Sequence, residues 1–371
     1  MDVTREQVIA YRAAAQQLDR SATRPGELAV LDIGAQDAAG EQARLAFDAR
    51  LPRTPPTEVV GPDHPLALVW SLRGAPHVHR RGDLDDLAGA LYPLSEADAT
   101  GRLNETGPSV ARAGIAALEQ YATAVQAMRD AVRNPMAKGA VSTEVTRRIP
   151  AAMRRECRAC RTSHISDSAM RIATLAAGLE LRPGTAPPVL QRRKGARLPK
   201  KPNVKALQRL ALAYLTLLGP ATSADVSGYL DARRADIDEV WPTGLAEVRV
   251  GGKPAWLPEV QLDALRTAPP PEFVRLLGAF DPYLQARDRV LIVPDTTAHK
   301  ALWPVLGRPG VLLVDGEVAG TWRPKSSGSR LTVQVAAFAP LPPDVWERVE
   351  AEALRVGAVR GASSVVLSAT E

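Results

Sequence analysis

The stretch LDIGAQDAAGEQARLAFDAR, residues 31 to 50, sets an amide and a carboxylate, Gln36 and Asp37, directly after the flexible Gly34-Ala35 pair and ahead of a helical pattern. A neutral amide such as Gln36 can orient a water molecule by accepting its hydrogen, but it is no effective base. A carboxylate such as Asp37 can act as that base, or stabilise positive charge developing at a reacting carbon. The same residues also read as a plain polar helix entry, with Gly34 in a turn and Asp37 as a first-turn carboxylate favoured by the helix dipole.

A second constellation is Cys157, Cys160 and His164 in CRACRTSH, a Cys-x-x-Cys-x-x-x-His spacing that zinc can use. A closed structural site needs a fourth ligand, and no nearby Cys or His supplies one. The expectation is therefore a helical segment with both cysteines buried and reduced, and neither a metal nor a cofactor. As the chain's whole cysteine complement, these two cannot form a disulfide framework.

The third feature is charge. The net charge is +6, unevenly spread: from Leu181 to Ala224 there is no acidic residue, while Arg182, Arg192, Arg193, Lys194, Arg197, Lys200, Lys201, Lys205 and Arg209 all fall inside. Such a block suits a polyanion, nucleic acid being the usual one, and it equally suits a solvated linker.

These groups need elements to position them. Residues 4 to 19 carry a helical apolar period, 41 to 50 a second helix, and ALVWSLRGAPHVHRR, 67 to 81, an apolar strand, a Gly-Ala-Pro turn and a return strand. Helices follow at 83–92 and 108–134. The helix–helix–hairpin order then repeats. One copy has a helix in 139–153 capped by Ser142, a helix started by Ser166 and Asp167 and closed by Gly178, then a strand pair through ELRPGTAPPVLQR. The next lies at 205–258, with a Thr222/Ser223 cap and a hairpin turned by Gly251-Gly252. After Pro269-Pro270-Pro271 the chain turns to strands: RVLIVPD, GVLLVDGEVAGTWRPK with an Asp315-Gly316 turn, RLTVQVAAFAPL and SSVVLSA, with one helix near 343–357.

The predicted class is α+β, mainly α: three tandem winged helix-turn-helix units with a C-terminal β-barrel-like domain. The boundaries are 1–135 for the first winged unit with added helices, 136–200 for the second, 201–265 for the third and 272–371 for the β-rich domain. At 371 residues the chain is too long for one ordinary core. The N-terminus has no signal-peptide pattern, and no run approaches the roughly 18 apolar residues of a membrane span. The expectation is a monomeric, cytoplasmic protein with no membrane partner.

Several stretches together resemble one family, the winged-helix DNA-binding proteins that include the AlkZ and YcaQ DNA glycosylases. They are VWSLRGAPHVH, LGPATSADV, AWLPE, LLGAFDPYLQARDR and VLLVDGEVAGTWR, in order from residue 69 to 323. The resemblance implies three winged helices and a C-terminal barrel-like domain curved around duplex DNA. It also implies nucleoid association and hydrolysis of the N-glycosidic bond of alkylated or bulky-adducted purines. The family's catalytic motif, Gln-aliphatic-Gln or Gln-aliphatic-Asp and commonly a trailing Asp, falls on GAQD. Gln36 takes the second position, Asp37 the trailing one, and Gly34 stands where the first Gln is expected. A non-catalytic DNA-binding or regulatory protein that has lost the motif is the alternative.

The DNA-contact candidates are Arg73, His77 and His79, with Arg80 and Arg81, as a cationic wing, or else an exposed polar turn. Thr143, Arg147, Arg148, Ser168 and Arg171 follow in the second winged unit, where a solvated helix face explains them as well. Arg192, Arg193, Lys194, Arg197, Lys200 and Lys201 in the basic block complete the set. Asp281, Arg287, Asp288 and Arg289 are expected to brace the last domain as ion pairs, and Trp322 to be core.

Overall fold

The computed structural model describes residues 1–38 and 40–370. Helices and strands are mixed in two compact units, one of Met1–Val59, Leu212–Asp225 and Thr243–Glu371, the other of Val60–Ala211 and Val226–Pro242. Among the described residues no helix is long and apolar enough to cross a membrane.

In the first unit, helix Arg5–Ala15 begins at a capping box: Thr4 Oγ1 accepts from the Gln7 N–H, and the Thr4 N–H donates to Gln7 Oε1 at 2.9 Å. The helix buries Val8 and Tyr11 against Val248, Leu257 and Leu265. Strand Asp2–Val3 pairs in parallel with Leu245–Val250, which forms an antiparallel hairpin with Lys253–Pro258. That hairpin turns on Gly251 and Gly252 at φ +55 and +77, values that favour glycine.

The C-terminal part of this unit is a curled five-stranded sheet in the order Val274–Leu277, Gly310–Val314, Glu317–Ser327, Arg330–Ala337, Ser364–Ala369. Only the last strand is parallel to its neighbour. Asp315 and Gly316, both at positive φ, make the expected tight turn. Helix Pro343–Arg360 lays Val345, Val349, Ala353 and Val356 against Trp322, Leu331, Val333 and Val335. Trp322 is core, its Nε1 donating to the Leu277 carbonyl at 2.8 Å.

RVLIVPD, expected as a strand, instead contains the short helix Arg289–Ile292. Tertiary contacts override its strand propensity. Asp288, just before it, is held by the buried Arg12 guanidinium at 3.0 and 2.6 Å, and Arg289 lies over the Trp303 ring. Asp281 likewise pairs with Arg50. Asp281 and Asp288 thus form ion pairs, but with Arg50 and Arg12 before residue 60 and not within the last domain, whereas Arg289 makes a ring contact in place of an ion pair.

In the second unit, strands Leu66–Trp70 and Pro76–Arg80 form the expected hairpin, but its turn spans Ser71 to Ala75, with Arg73 and Gly74 at φ +56 and +66. The single helix expected over 108–134 is two, Gly107–Arg112 and Ala117–Ala131, parted at Gly114 with φ +70. Helix Lys138–Arg148 starts earlier than expected, with Ala137 at its N-cap, so Ser142 lies inside it. The start is set by sheet pairing, because Met136–Ala137 pairs with Val189–Arg192 and the Lys138 N–H donates to the Pro188 carbonyl.

Ser166 caps helix Asp167–Ala176, and Gly178 ends it at φ +68. Strand Leu179–Leu181 then pairs with Val189–Arg192. Trp70, Tyr121, Met128, Val141, Val145, Met170 and Leu190 share this unit's core. The cysteine segment is a β-hairpin, Arg154–Cys157 with Thr162–Ile165, and not a helix; Cys160 is exposed and Cys157 half-buried.

Candidate active site

The corner at Gln36 and Asp37 is built by three short elements. A 3-10 turn, Ala29–Asp32, runs into Gly34, whose N–H donates to the Leu31 carbonyl at 3.3 Å. Gly34 is buried at φ +80, a conformation costly for any side chain. Strand Ala35–Gln36 follows, and helix Gln42–Asp48 comes next in the chain.

Gln36 and Asp37 are both half-buried. Asp37 Oδ1 accepts from the Ala43 N–H at 3.2 Å, in the first turn of that helix. Burial is the largest influence on this carboxyl and raises its pKa above the ordinary value, against the lowering pull of the Ala43 and Gln42 amides and the Arg44 guanidinium. A carboxylate destabilised in this way is a better proton acceptor than one in water. Both readings of Asp37 survive in this geometry, since one oxygen serves the helix amide and the group remains strained as an anion.

Gln42 and Arg44 are neighbours of the site that the sequence alone does not single out. Gln42 Oε1 and Arg44 Nε are buried without hydrogen-bond partners among the described residues. Their only sequence signal is adjacency to Gln36 and Asp37. Glu41 is likewise raised, mainly by burial, and pairs with Arg360.

The basic candidates separate into spent and available groups. Arg73 lies over the Tyr229 ring at 4.9 Å, and its Nη1 donates to the Tyr229 carbonyl. His77 and His79 are buried, not presented as a cationic wing. The His77 Nδ1 meets the Ala75 carbonyl at 3.0 Å, and the His79 Nε2 meets Ser71 Oγ at 3.0 Å. Burial foremost, then the charges of His79 and Arg73, hold His77 well below its ordinary pKa and therefore neutral. Arg81 is bonded to Glu180 at 2.6 Å, and Arg80 makes a looser pair with Asp83 at 3.9 Å.

Arg147 and Arg148 are exposed and share Glu144, at 2.5 and 2.6 Å. Arg171 stacks over Trp70 and pairs with Asp167 at 2.8 Å. Arg192 donates to the Val132 and Arg129 carbonyls. Arg193 is buried against Asp85, which also takes the exposed Arg197 at 3.0 Å. Lys194, Lys200, Lys201 and Lys205 are exposed and hold no ion pair among the described residues. Lys201 and Lys205, with Arg197, border an open depression of about 560 Å³ whose acidic wall, Asp85 and Asp86, is already neutralised by Arg193, Arg197 and Arg209. Positive charge is therefore in excess on this side of the second unit.

Beyond the site itself, Cys157, Cys160 and His164 have their ligand atoms within 4.8 Å of one another. The sequence spacing suggests these residues as ligands, but not that a hairpin gathers them.

The fold is similar to that of the Streptomyces sahachiroi DNA glycosylase AlkZ, with a TM-score of 0.77 at 19% identity over 100% of both chains. No curated protein matches the sequence. The family model described as DNA glycosylase AlkZ-like matches residues 14–359, and on that coverage the chain belongs to the AlkZ-like DNA glycosylase family.

Proposed function

We propose that this protein binds duplex DNA and hydrolyses the N-glycosidic bond of alkylated or bulky-adducted purines. The supporting observation is the half-buried Asp37, with its raised pKa, adjoining Gln36 on a corner held by Gly34, in a chain whose family model spans residues 14–359. The damaged nucleotide is flipped from the stack. A purine alkylated on a ring nitrogen is already cationic, so its bond to the sugar C1′ breaks with the electron pair leaving on the base. Gln36 orients a water whose oxygen bonds to C1′, and Asp37 accepts its proton while stabilising the oxocarbenium-like sugar. The exposed lysines 194, 200 and 201 supply phosphate contacts. The three helix–helix–hairpin repeats are read as tandem winged helices of a monomer acting at the nucleoid in the cytoplasm.

One observation favours a second reading, a DNA-binding protein without catalysis. Gly34 leaves no side chain at the first motif position, and its φ of +80 makes that absence part of the backbone. Release of free base from duplex DNA containing 7-methylguanine, and its loss in Gln36→Ala, separates the two readings.

A further inference from the structure

We infer that the hairpin Arg154–Cys157/Thr162–Ile165 is a binding site for a thiophilic divalent cation, zinc in the first instance, held by Cys157, Cys160 and His164. Strand alternation places the first and last of these on one face. Cys157 is opposite Thr162 and His164 is opposite Arg155, so Cys157 and His164 are diagonal neighbours across the pair. The four-residue turn, with Arg161 at φ +51, brings Cys160 back to the same point. All three ligand atoms fall within 4.8 Å of one another, where a tetrahedral zinc with bonds of about 2.0 to 2.3 Å needs ligand separations of roughly 3.5 to 3.8 Å. Small side-chain rotations close that difference.

His164 gives the independent observation. Its Nδ1 is 2.6 Å from the Ile165 carbonyl, which places the ring proton on Nδ1. Its Nε2 is buried and makes no hydrogen bond of ordinary geometry among the described residues, while the His164 side chain interacts with the Cys157 thiol across the hairpin. A backbone carbonyl on one ring nitrogen, leaving the other for the metal, is the arrangement that orients histidine ligands. Cys157 at the end of its strand and Cys160 in the turn have two residues between them, the Cys-x-x-Cys spacing common in metal-binding turns.

Sulfur and imidazole donors select zinc over magnesium or calcium. Two thiolates balance the divalent charge, so the bound site is neutral beside Arg154, Arg155, Arg158 and Arg161. No fourth His, Cys, Asp or Glu joins the group among the described residues, so water occupies the fourth position and the ion exchanges with chelators. The cation's role is to pin a hairpin that carries four arginines in one conformation.

The test uses the full chain, reduced and metal-free, titrated with cobalt(II) and then zinc. The expected result is roughly one equivalent bound, with thiolate-to-cobalt charge-transfer absorption and tetrahedral d–d bands that zinc bleaches. His164→Ala and the exposed Cys160→Ser should each weaken binding about tenfold or more, since even outer-shell changes cost that much. Cys157→Ser/Cys160→Ser should abolish it, while far-ultraviolet circular dichroism confirms that the chain stays folded. Absence of thiolate charge transfer overturns the inference. So does undiminished binding in the double variant, or a Cys157–Cys160 disulfide that forms equally fast with and without zinc.

Discussion

Arg50 and Asp281 meet through two parallel hydrogen bonds of 2.8 Å, with both side chains fully removed from solvent. The pair ties helix Gln42–Asp48, which ends beside Arg50, to the Pro282–Gln285 turn that Asp281 also caps through the Tyr283 N–H. The helix whose first turn receives the Asp37 carboxylate is therefore anchored at its far end by a buried charge pair.

Removing one partner leaves the other charge buried and unpaired. Asp281→Ala should cost about 3 to 5 kcal/mol in urea unfolding, and a well-packed apolar replacement of both residues should recover much of it. A loss below about 1 kcal/mol for the single change would contradict the pairing.

Gly34 holds φ +80 in a buried turn. Gly34→Gln, which restores a side chain at the first motif position, should therefore destabilise by about 1 to 3 kcal/mol. An unchanged unfolding midpoint would show that the backbone does not demand glycine there.

Lys194, Lys200 and Lys201 are exposed and hold no ion pair among the described residues, whereas His77 is buried and neutral. Replacing the three lysines by Ala should weaken duplex binding for all sequences alike, and flatten the log–log salt slope by about 0.9 for each phosphate no longer neutralised. His77→Ala should instead lower thermal stability and leave the slope as it was. The reverse pattern would return the hairpin to the role of a charged wing.

Asp37 has a raised pKa through burial. Folding thus favours its protonated form. The associated stability is full below the ordinary carboxylate pKa and is lost as pH rises through the folded pKa. Asp37→Asn should accordingly raise the melting temperature at pH 8 and change it little at pH 3. The same titration places a rise in activity with pH on Asp37, because only the anion accepts the water's proton. Equal melting shifts at both pH values would remove the desolvation argument.

Local signals were the legible ones. The Ser166 cap, the Gly251-Gly252 and Asp315-Gly316 turns and the Gly178 stop need only neighbouring residues, and all stand where the sequence put them. The histidines were misplaced because strand Pro76–Arg80 buries His77, Val78 and His79 in succession, so polar–apolar alternation carried no information about its faces. RVLIVPD contains the four-residue helix Arg289–Ile292, flanked by the Asp288 pair with Arg12 and the Arg289 contact with Trp303, which the stretch's own apolar pattern does not announce. At the site, Gln36 and Asp37 could be found by adjacency, but the Asp37–Ala43 bond and the burial that raises its pKa depend on the folded corner.

Single-turnover release of free base from 7-methylguanine-containing duplex DNA tests the account most directly. Wild-type protein should release 7-methylguanine. Gln36→Ala and Asp37→Asn should each slow release by about 10²-fold or more without changing duplex affinity. Duplex binding with no base released, or release untouched by both substitutions, would contradict catalysis at Gln36 and Asp37.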